Sequence, residues 1–224
     1  MKKAVIFDLD GTLADTIASI TYCGNRALNR FGLPSFGEQD YKYFVGDGAA
    51  VLIRRALKRA GDEKLLHFDQ VYEEYIRLFA RDCMYQVKPY DGVPSLLGEL
   101  KARGIRIAVL SNKPHANTLH VVEELFGKGF FDHVQGQQEG VPRKPAPDGV
   151  YQIERALGVV SDDCLYVGDT AVDMETGNGA LIHTVGVLWG FRDRQELEAA
   201  GACSIIERPE QLLELLNQNE RKME

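Results

Sequence analysis

The sequence predicts an α/β fold: a parallel sheet with helices packed around it, interrupted once by an inserted helical domain. Three observations predict it. Ala4-Val5-Ile6-Phe7 is a short, uninterrupted apolar run of the kind that forms a strand buried on both faces. From Pro89 onward, short Val/Ile/Leu-rich runs alternate with amphipathic helical stretches, the pattern of right-handed βαβ units. Between Leu13 and Lys88, by contrast, the apolar spacing is helical throughout and no strand signal appears. The predicted organisation is therefore a core domain formed by residues 1–14 and 89–224, with a helical domain at 15–88.

The elements follow in order. After Leu13, Ile17, Ile20, Ala27, Leu28 and Phe31 mark a helix that Gly32-Leu33-Pro34 stops. Phe36 to Val45 is short and mixed and carries no clear period. Val51 to about Gly61 and Leu65 to about Met84 are helices, the second with a Tyr72/Tyr75/Phe79 stripe that reads as packing. In the core, Val93–Arg103 is a helix and Ile105–Leu110 a strand. Ser111-Asn112-Lys113-Pro114 follows, then a helix through Phe126. Phe131–Gln135 is a short strand. A helix opens after Lys144-Pro145 and runs through Leu157, and Cys164–Val167 is the next buried strand. A helix to about Asn178, a strand over Leu181–Leu188, a helix over Gln195–Ala200, a strand at Ser204–Ile206 and a helix over Gln211–Leu216 complete the pattern, with a frayed tail from Gln218.

Bulk properties exclude several functions. The chain has 224 residues, 45% of them hydrophobic, enough for a large core. Its 26 basic and 33 acidic residues give a net charge of −7, and no Lys/Arg-rich run offers a footprint for nucleic acid. No apolar stretch approaches the roughly 18 residues of a membrane span, and the N-terminal apolar run is too short for a signal peptide. Cys23, Cys83, Cys164 and Cys203 lack metal spacing and are expected as free, buried thiols. A cytoplasmic protein is expected.

Chemistry collects at the predicted strand ends. Asp8 and Asp10 close the first strand, and ionised carboxylates there cost several kcal/mol unless compensated. Asp169 and Asp173, four apart at a helix start, share a face. Strand ends converge on one crevice in a doubly wound sheet. Two unit charges about 4 Å apart repel by about 4 kcal/mol at an effective dielectric near 20. A divalent cation is the natural compensation, and an all-oxygen donor set favours Mg²⁺ over Zn²⁺. A phosphate accounts for the remaining parts: the Ser111 hydroxyl, the Lys144 charge and the turn at Gly11-Thr12. His67, His115, His120, His133 and His183 lack ligand spacing. Gly46-Asp47-Gly48 reads first as a turn, Arg54 and Arg55 as solvated charges, and Trp189 and Phe191 as packing near a site rim.

Asp8-Leu9-Asp10-Gly11-Thr12, Ser111-Asn112, Lys144-Pro145 and Gly168-Asp169-Thr170-Ala171-Val172-Asp173 resemble, in order and spacing, the four motifs of the haloacid dehalogenase superfamily. The resemblance covers essentially the whole chain. It implies a Rossmann-like parallel-sheet core and identifies the helical insert as similar to that superfamily's C1-type cap. Phe31-Gly32-Leu33-Pro34, Val45-Gly46-Asp47-Gly48 and Val187-Leu188-Trp189-Gly190-Phe191 resemble the phosphoglycolate phosphatase branch. The resemblance makes Asp8 the nucleophile and Asp10 the acid/base. It gives Thr12, Ser111, Asn112 and Lys144 to the phosphate. It gives Mg²⁺ to Asp8, the carbonyl of Asp10 and Asp169, with Asp173 as a further ligand or a support behind them. The superfamily's dehalogenases and phosphonatases lack the second aspartate, so Asp10 points to phosphate esters. The implied activity is hydrolysis of a small phosphorylated metabolite, foremost 2-phosphoglycolate, by a monomer or homodimer. Pyrophosphate, sugar phosphates, nucleotides or pyridoxal phosphate, or a β-phosphoglucomutase-like phosphomutase, are the alternatives.

Overall fold

The computed structural model describes residues 2–221. Its main sheet has six parallel strands: β1 (Ala4–Phe7), β4 (Arg106–Pro114), β5 (His133–Gln137), β6 (Cys164–Gly168), β7 (His183–Val187) and β8 (Ser204–Ile206). Their spatial order is β5-β4-β1-β6-β7-β8. The chain thus builds outward from β1 to β4 and β5, then returns to the other side of β1 for β6, β7 and β8. That reversal makes the carboxyl end of β1 a topological switch point, where open α/β sheets place their ligands. Ile6 is in register with Ala108 of β4 and Tyr166 of β6, and Phe7 with Val109 and Val167. The residues that follow these three strands are therefore brought together.

Every side chain of β1 is buried, as its unbroken apolar run requires of a central strand. Ala4, Ile6, Ala108, Leu110, Cys164 and Tyr166 lie on one face and pack with Val150, Ile153 and Leu157 of α7 (Asp148–Leu157). Burying each large aliphatic side chain contributes about 1.5–3 kcal/mol. The remaining core helices are α5 (Val93–Ala102), α6 (His115–Phe126), α8 (Ala171–Gly179), α9 (Arg194–Ala199) and α10 (Gln211–Arg221).

The described chain divides into two compact units, one running to Ala14 and resuming at Pro89, the other Asp15–Lys88. The second unit contains α1 (Ile17–Arg30), α2 (Glu38–Phe44), α3 (Ala49–Arg59) and α4 (Phe68–Asp82). Leu28, Tyr41, Ile53, Leu57 and Val71 are fully buried. Tyr75 stacks on Phe79 with ring centroids 5.3 Å apart, so that stripe is packing.

Several details differ from the sequence expectation. The aperiodic stretch before Gly46 contains α2, a seven-residue helix too short to show a period. Two-residue strands, β2 (Ala14–Asp15) and β3 (Lys88–Pro89), mark the two crossings between the units. Strand β4 runs through Ser111 to Pro114 rather than ending at Leu110. Helix α10 continues through Arg221, so the backbone from Gln218 is helical, and 222–224 lie outside the described residues. Cys23, Cys83 and Cys164 are buried free thiols, but Cys203 is exposed, because it precedes the edge strand β8. No helix among the described residues is long and apolar enough to cross a membrane.

Candidate active site

Asp8 follows β1 directly, and its backbone N–H donates to the Val167 carbonyl at 2.9 Å, which ties the strand end to β6. Its side chain meets Lys144, whose Nζ donates to Asp8 Oδ1 at 2.8 Å and to Asp173 Oδ1 at 2.7 Å. Lys144 belongs to the loop between β5 and α7 and needs an anchor. Asn112 supplies it: its Nδ2 donates to the Lys144 carbonyl, and its Oδ1 accepts from the Lys144 N–H, both at 3.0 Å. The Asn112 side chain therefore holds the lysine's backbone. Ser111 is buried beside it, and its Oγ accepts from the Lys113 N–H at 3.2 Å.

Asp169 follows β6 and is fully buried. Its Oδ1 accepts from the Thr12 hydroxyl at 2.9 Å and its Oδ2 from the Phe191 N–H at 2.8 Å. Thr12, expected to face phosphate, thus directs its hydroxyl at a carboxylate, and the half-buried Trp189 donates its Nε1–H to the Thr12 carbonyl at 2.9 Å. Two glycines make room. Gly11 has φ +89°, and a Cβ there would lie 2.2 Å from Asp169 Oδ2. A Cβ at Gly190 would lie 2.4 Å from the Gly11 carbonyl oxygen. Asp173 completes a capping box with Thr170 at the start of α8: its Oδ2 accepts from the Thr170 N–H at 3.1 Å and hydroxyl at 2.7 Å.

One ligand oxygen from each of Asp8, Asp169 and Asp173 lies within 4.8 Å of the others, all three residues being buried. The electrostatics follow from that crowding. Burial first, then the charge of Asp173, pushes the Asp8 carboxyl well above its usual range, with Lys144 pulling partly back. The same two causes raise Asp169 to about 7 against the donors from Phe191 and Thr12. Burial alone would lower Lys144, but Asp173 and Asp8 outweigh it and hold the ammonium charged. Three carboxylates against one ammonium leave buried negative charge uncompensated, and the donors are all oxygens. The cluster therefore fits a hard divalent metal ion.

The side chain of Asp10 stands outside that cluster. Its Oδ1 accepts from Lys113 Nζ at 2.5 Å, and the Lys113 side chain is only 3% exposed. Sequence reasoning passed over Lys113, because a lysine inside Ser-Asn-Lys-Pro looks like any solvated lysine. It also passed over Tyr166, whose hydroxyl donates to Asp173 Oδ1 at 3.5 Å from within β6. Arg54 and Arg55 reach solvent, as expected of surface charges, and each also has a partner: Arg54 lies over the Phe68 ring at 4.0 Å, and Arg55 pairs with Asp47 at 2.6 Å. No histidine joins a metal-binding cluster among the described residues.

Fold and site together define an α/β enzyme whose centre is built from buried carboxylates and lysines at a sheet's switch point. Residues 5–187 match the family model described as haloacid dehalogenase-like hydrolase, and the chain belongs to that family. Within it, the chain is a phosphoglycolate phosphatase-like phosphatase, a phosphoric monoester hydrolase. It is 33% identical to the phosphoglycolate phosphatase of Rhodospirillum rubrum, over 92% of this chain and 88% of that protein. It is 29% identical to that of Aquifex aeolicus, over 96% of this chain and 97% of that protein. The solved structure of a candidate phosphoglycolate phosphatase from Lactobacillus delbrueckii subsp. bulgaricus superposes with a TM-score of 0.88. It is 35% identical and covers 95% of this chain and 97% of that one.

Proposed function

We propose that this enzyme hydrolyses 2-phosphoglycolate through a phosphorylated Asp8, with Mg²⁺ as its metal. The observation that carries the proposal is the position of Asp8: a buried carboxylate at the switch point, held by Lys144 at 2.8 Å, beside Asp169 and two residues before Asp10. A carboxylate oxygen of Asp8 attacks phosphorus, and the bond from phosphorus to the ester oxygen breaks. Asp10 gives that oxygen a proton and the alcohol departs. A water then attacks phosphorus while Asp10 takes its proton, the bond from Asp8 to phosphorus breaks, and inorganic phosphate leaves. Lys144 offsets charge on the transferring group, with Ser111 alongside. Both oxygens of Asp173 are already occupied by Lys144 and Thr170, which suits a role in aiming Lys144. Asp8, Asp169 and the carbonyl of Asp10 would hold Mg²⁺, which when bound would offset negative charge on the phosphate.

The substrate assignment rests on the relatives named for phosphoglycolate. Asp8→Asn should abolish turnover and phosphoenzyme formation while leaving the circular dichroism spectrum intact. Full activity in that variant would overturn the mechanism. A phosphate-release screen over small phosphate esters with Mg²⁺ should favour 2-phosphoglycolate, and a flat, weak profile would count against a dedicated enzyme. Little phosphate release alongside conversion of a sugar phosphate primed with a bisphosphate would instead identify a phosphomutase.

A further inference from the structure

We infer that Lys113 is a positioning residue for the acid/base Asp10, fixing which carboxylate oxygen handles the proton. The inference rests on the assignment of Asp10 as the acid/base, and it concerns a residue outside the four motifs.

Lys113 is held at its backbone and at its ammonium. Its backbone N–H donates to Ser111 Oγ at 3.2 Å, and its carbonyl accepts from the Thr118 hydroxyl at 3.1 Å. Gly136 of β5 packs so closely that a Cβ there would lie 2.7 Å from the Lys113 carbonyl oxygen. The Lys113 backbone is therefore fixed at both its N–H and its carbonyl, and the ammonium ends on Asp10 Oδ1 at 2.5 Å. The two residues lie on the chain beyond β1 and in β4, which are neighbouring strands in register.

Energetics argue against a purely stabilising pair. Desolvating an ammonium to this degree offsets most of the Coulomb attraction, so an apolar pair of similar volume would stabilise the fold at least as well. What the ion pair supplies instead is orientation. Asp10 has rotatable bonds and its side chain is 19% accessible, so an ion pair on one oxygen adds a fixed direction to the carboxylate plane. With Lys113 on Oδ1, proton traffic falls to Oδ2, and the acid needs no reorganisation when the leaving oxygen develops charge.

The chemistry gives a readout that a merely structural role would not move. An alkyl leaving group needs the proton from Asp10, whereas p-nitrophenolate leaves without one. The ratio kcat/KM covers only the steps through release of the alcohol or phenol. For Lys113→Met we expect kcat/KM to fall on the order of 10²-fold with 2-phosphoglycolate, and by less than about threefold with p-nitrophenyl phosphate. Lys113→Arg should recover part of the alkyl-ester rate. Asp10→Asn should show the same split, and adding Lys113→Met to it should cost nothing further on the alkyl ester. Lys113→Gln serves if the Met variant does not fold. If Asp10→Asn splits the two substrates while both Lys113 variants lower them equally or not at all, Lys113 does not position the acid. If Asp10→Asn itself fails to split them, the acid assignment fails and this inference with it.

Discussion

The two units handle charge in opposite ways. In the helical unit the basic side chains of the ion pairs face water: Arg59 and Asp40 sit 3.5 Å apart with side chains 64% and 35% exposed, and Arg55–Asp47 is similar. The core has such surface pairs too, Lys3–Asp163 among them. At the ends of β1, β4 and β6, however, Lys113 and Lys144 are buried against aspartates, of which only Asp10 stays part-exposed. A water-facing pair contributes little to stability. A buried pair carries a desolvation cost that its attraction barely repays, and losing one partner leaves a naked charge. The fold tolerates the buried set because apolar burial of β1 and its neighbours stabilises the frame around it. The buried pairs therefore serve chemistry, and the exposed ones keep helices solvated and in register.

The sharpest way to test that contrast is to remove Lys144. Lys144→Met strands Asp8 and Asp173, each of which it contacts at under 3 Å. In the metal-free protein we expect a loss of about 3–5 kcal/mol in urea unfolding near neutral pH. A loss below about 1 kcal/mol, the range of an exposed pair, would show that the buried pairs behave like the exposed ones.

Much of this arrangement was legible in the sequence, for a physical reason. An apolar run ending in Asp-x-Asp contradicts ordinary burial rules, and such a contradiction is visible without coordinates. The same holds for Asp169 after Cys164–Val167. Lys113 and Tyr166 were not legible, because their residue types are unremarkable in a strand and only the register with β1 makes them part of the site. Thr12 shows a further gap: its hydroxyl suits a phosphate equally well on paper, and only the fold reveals the Asp169 oxygen at 2.9 Å. Helix α2 escaped because seven residues give fewer than two full turns of period.

Acidity offers a second test of the buried set. In the metal-free protein the Asp169 carboxyl is raised from 3.8 to about 7, chiefly by burial and then by Asp173. The native state consequently binds more protons than the unfolded chain between these values. The stability that this group contributes is fullest below the unfolded value of 3.8 and is lost as pH rises through about 7. Asp8 is shifted in the same direction and adds to the slope. Above about pH 5, where the carboxylates held low by their partners, Glu74, Asp82 and Asp163 among them, are already ionised, thermal unfolding with a chelator should therefore show a midpoint that falls with pH. Added Mg²⁺ should flatten or reverse the fall, because the ion favours the deprotonated carboxylates. A chelated protein whose midpoint rises over the same range would mean the carboxylates are not crowded as described.

The smallest expected effect lies on the other side of the comparison. Arg59→Met removes an exposed partner of Asp40, which remains solvated when left alone. The loss should stay below about 1 kcal/mol, and it should shrink further at high salt, where surface charges are screened. The substitution also keeps a good helix former near the end of α3, so propensity changes little. It does remove a cation from the last turn of that helix, where it favours the helix dipole by a few tenths of a kcal/mol. A salt-independent loss of several kcal/mol would show that the helical unit, too, depends on a specific ionic contact.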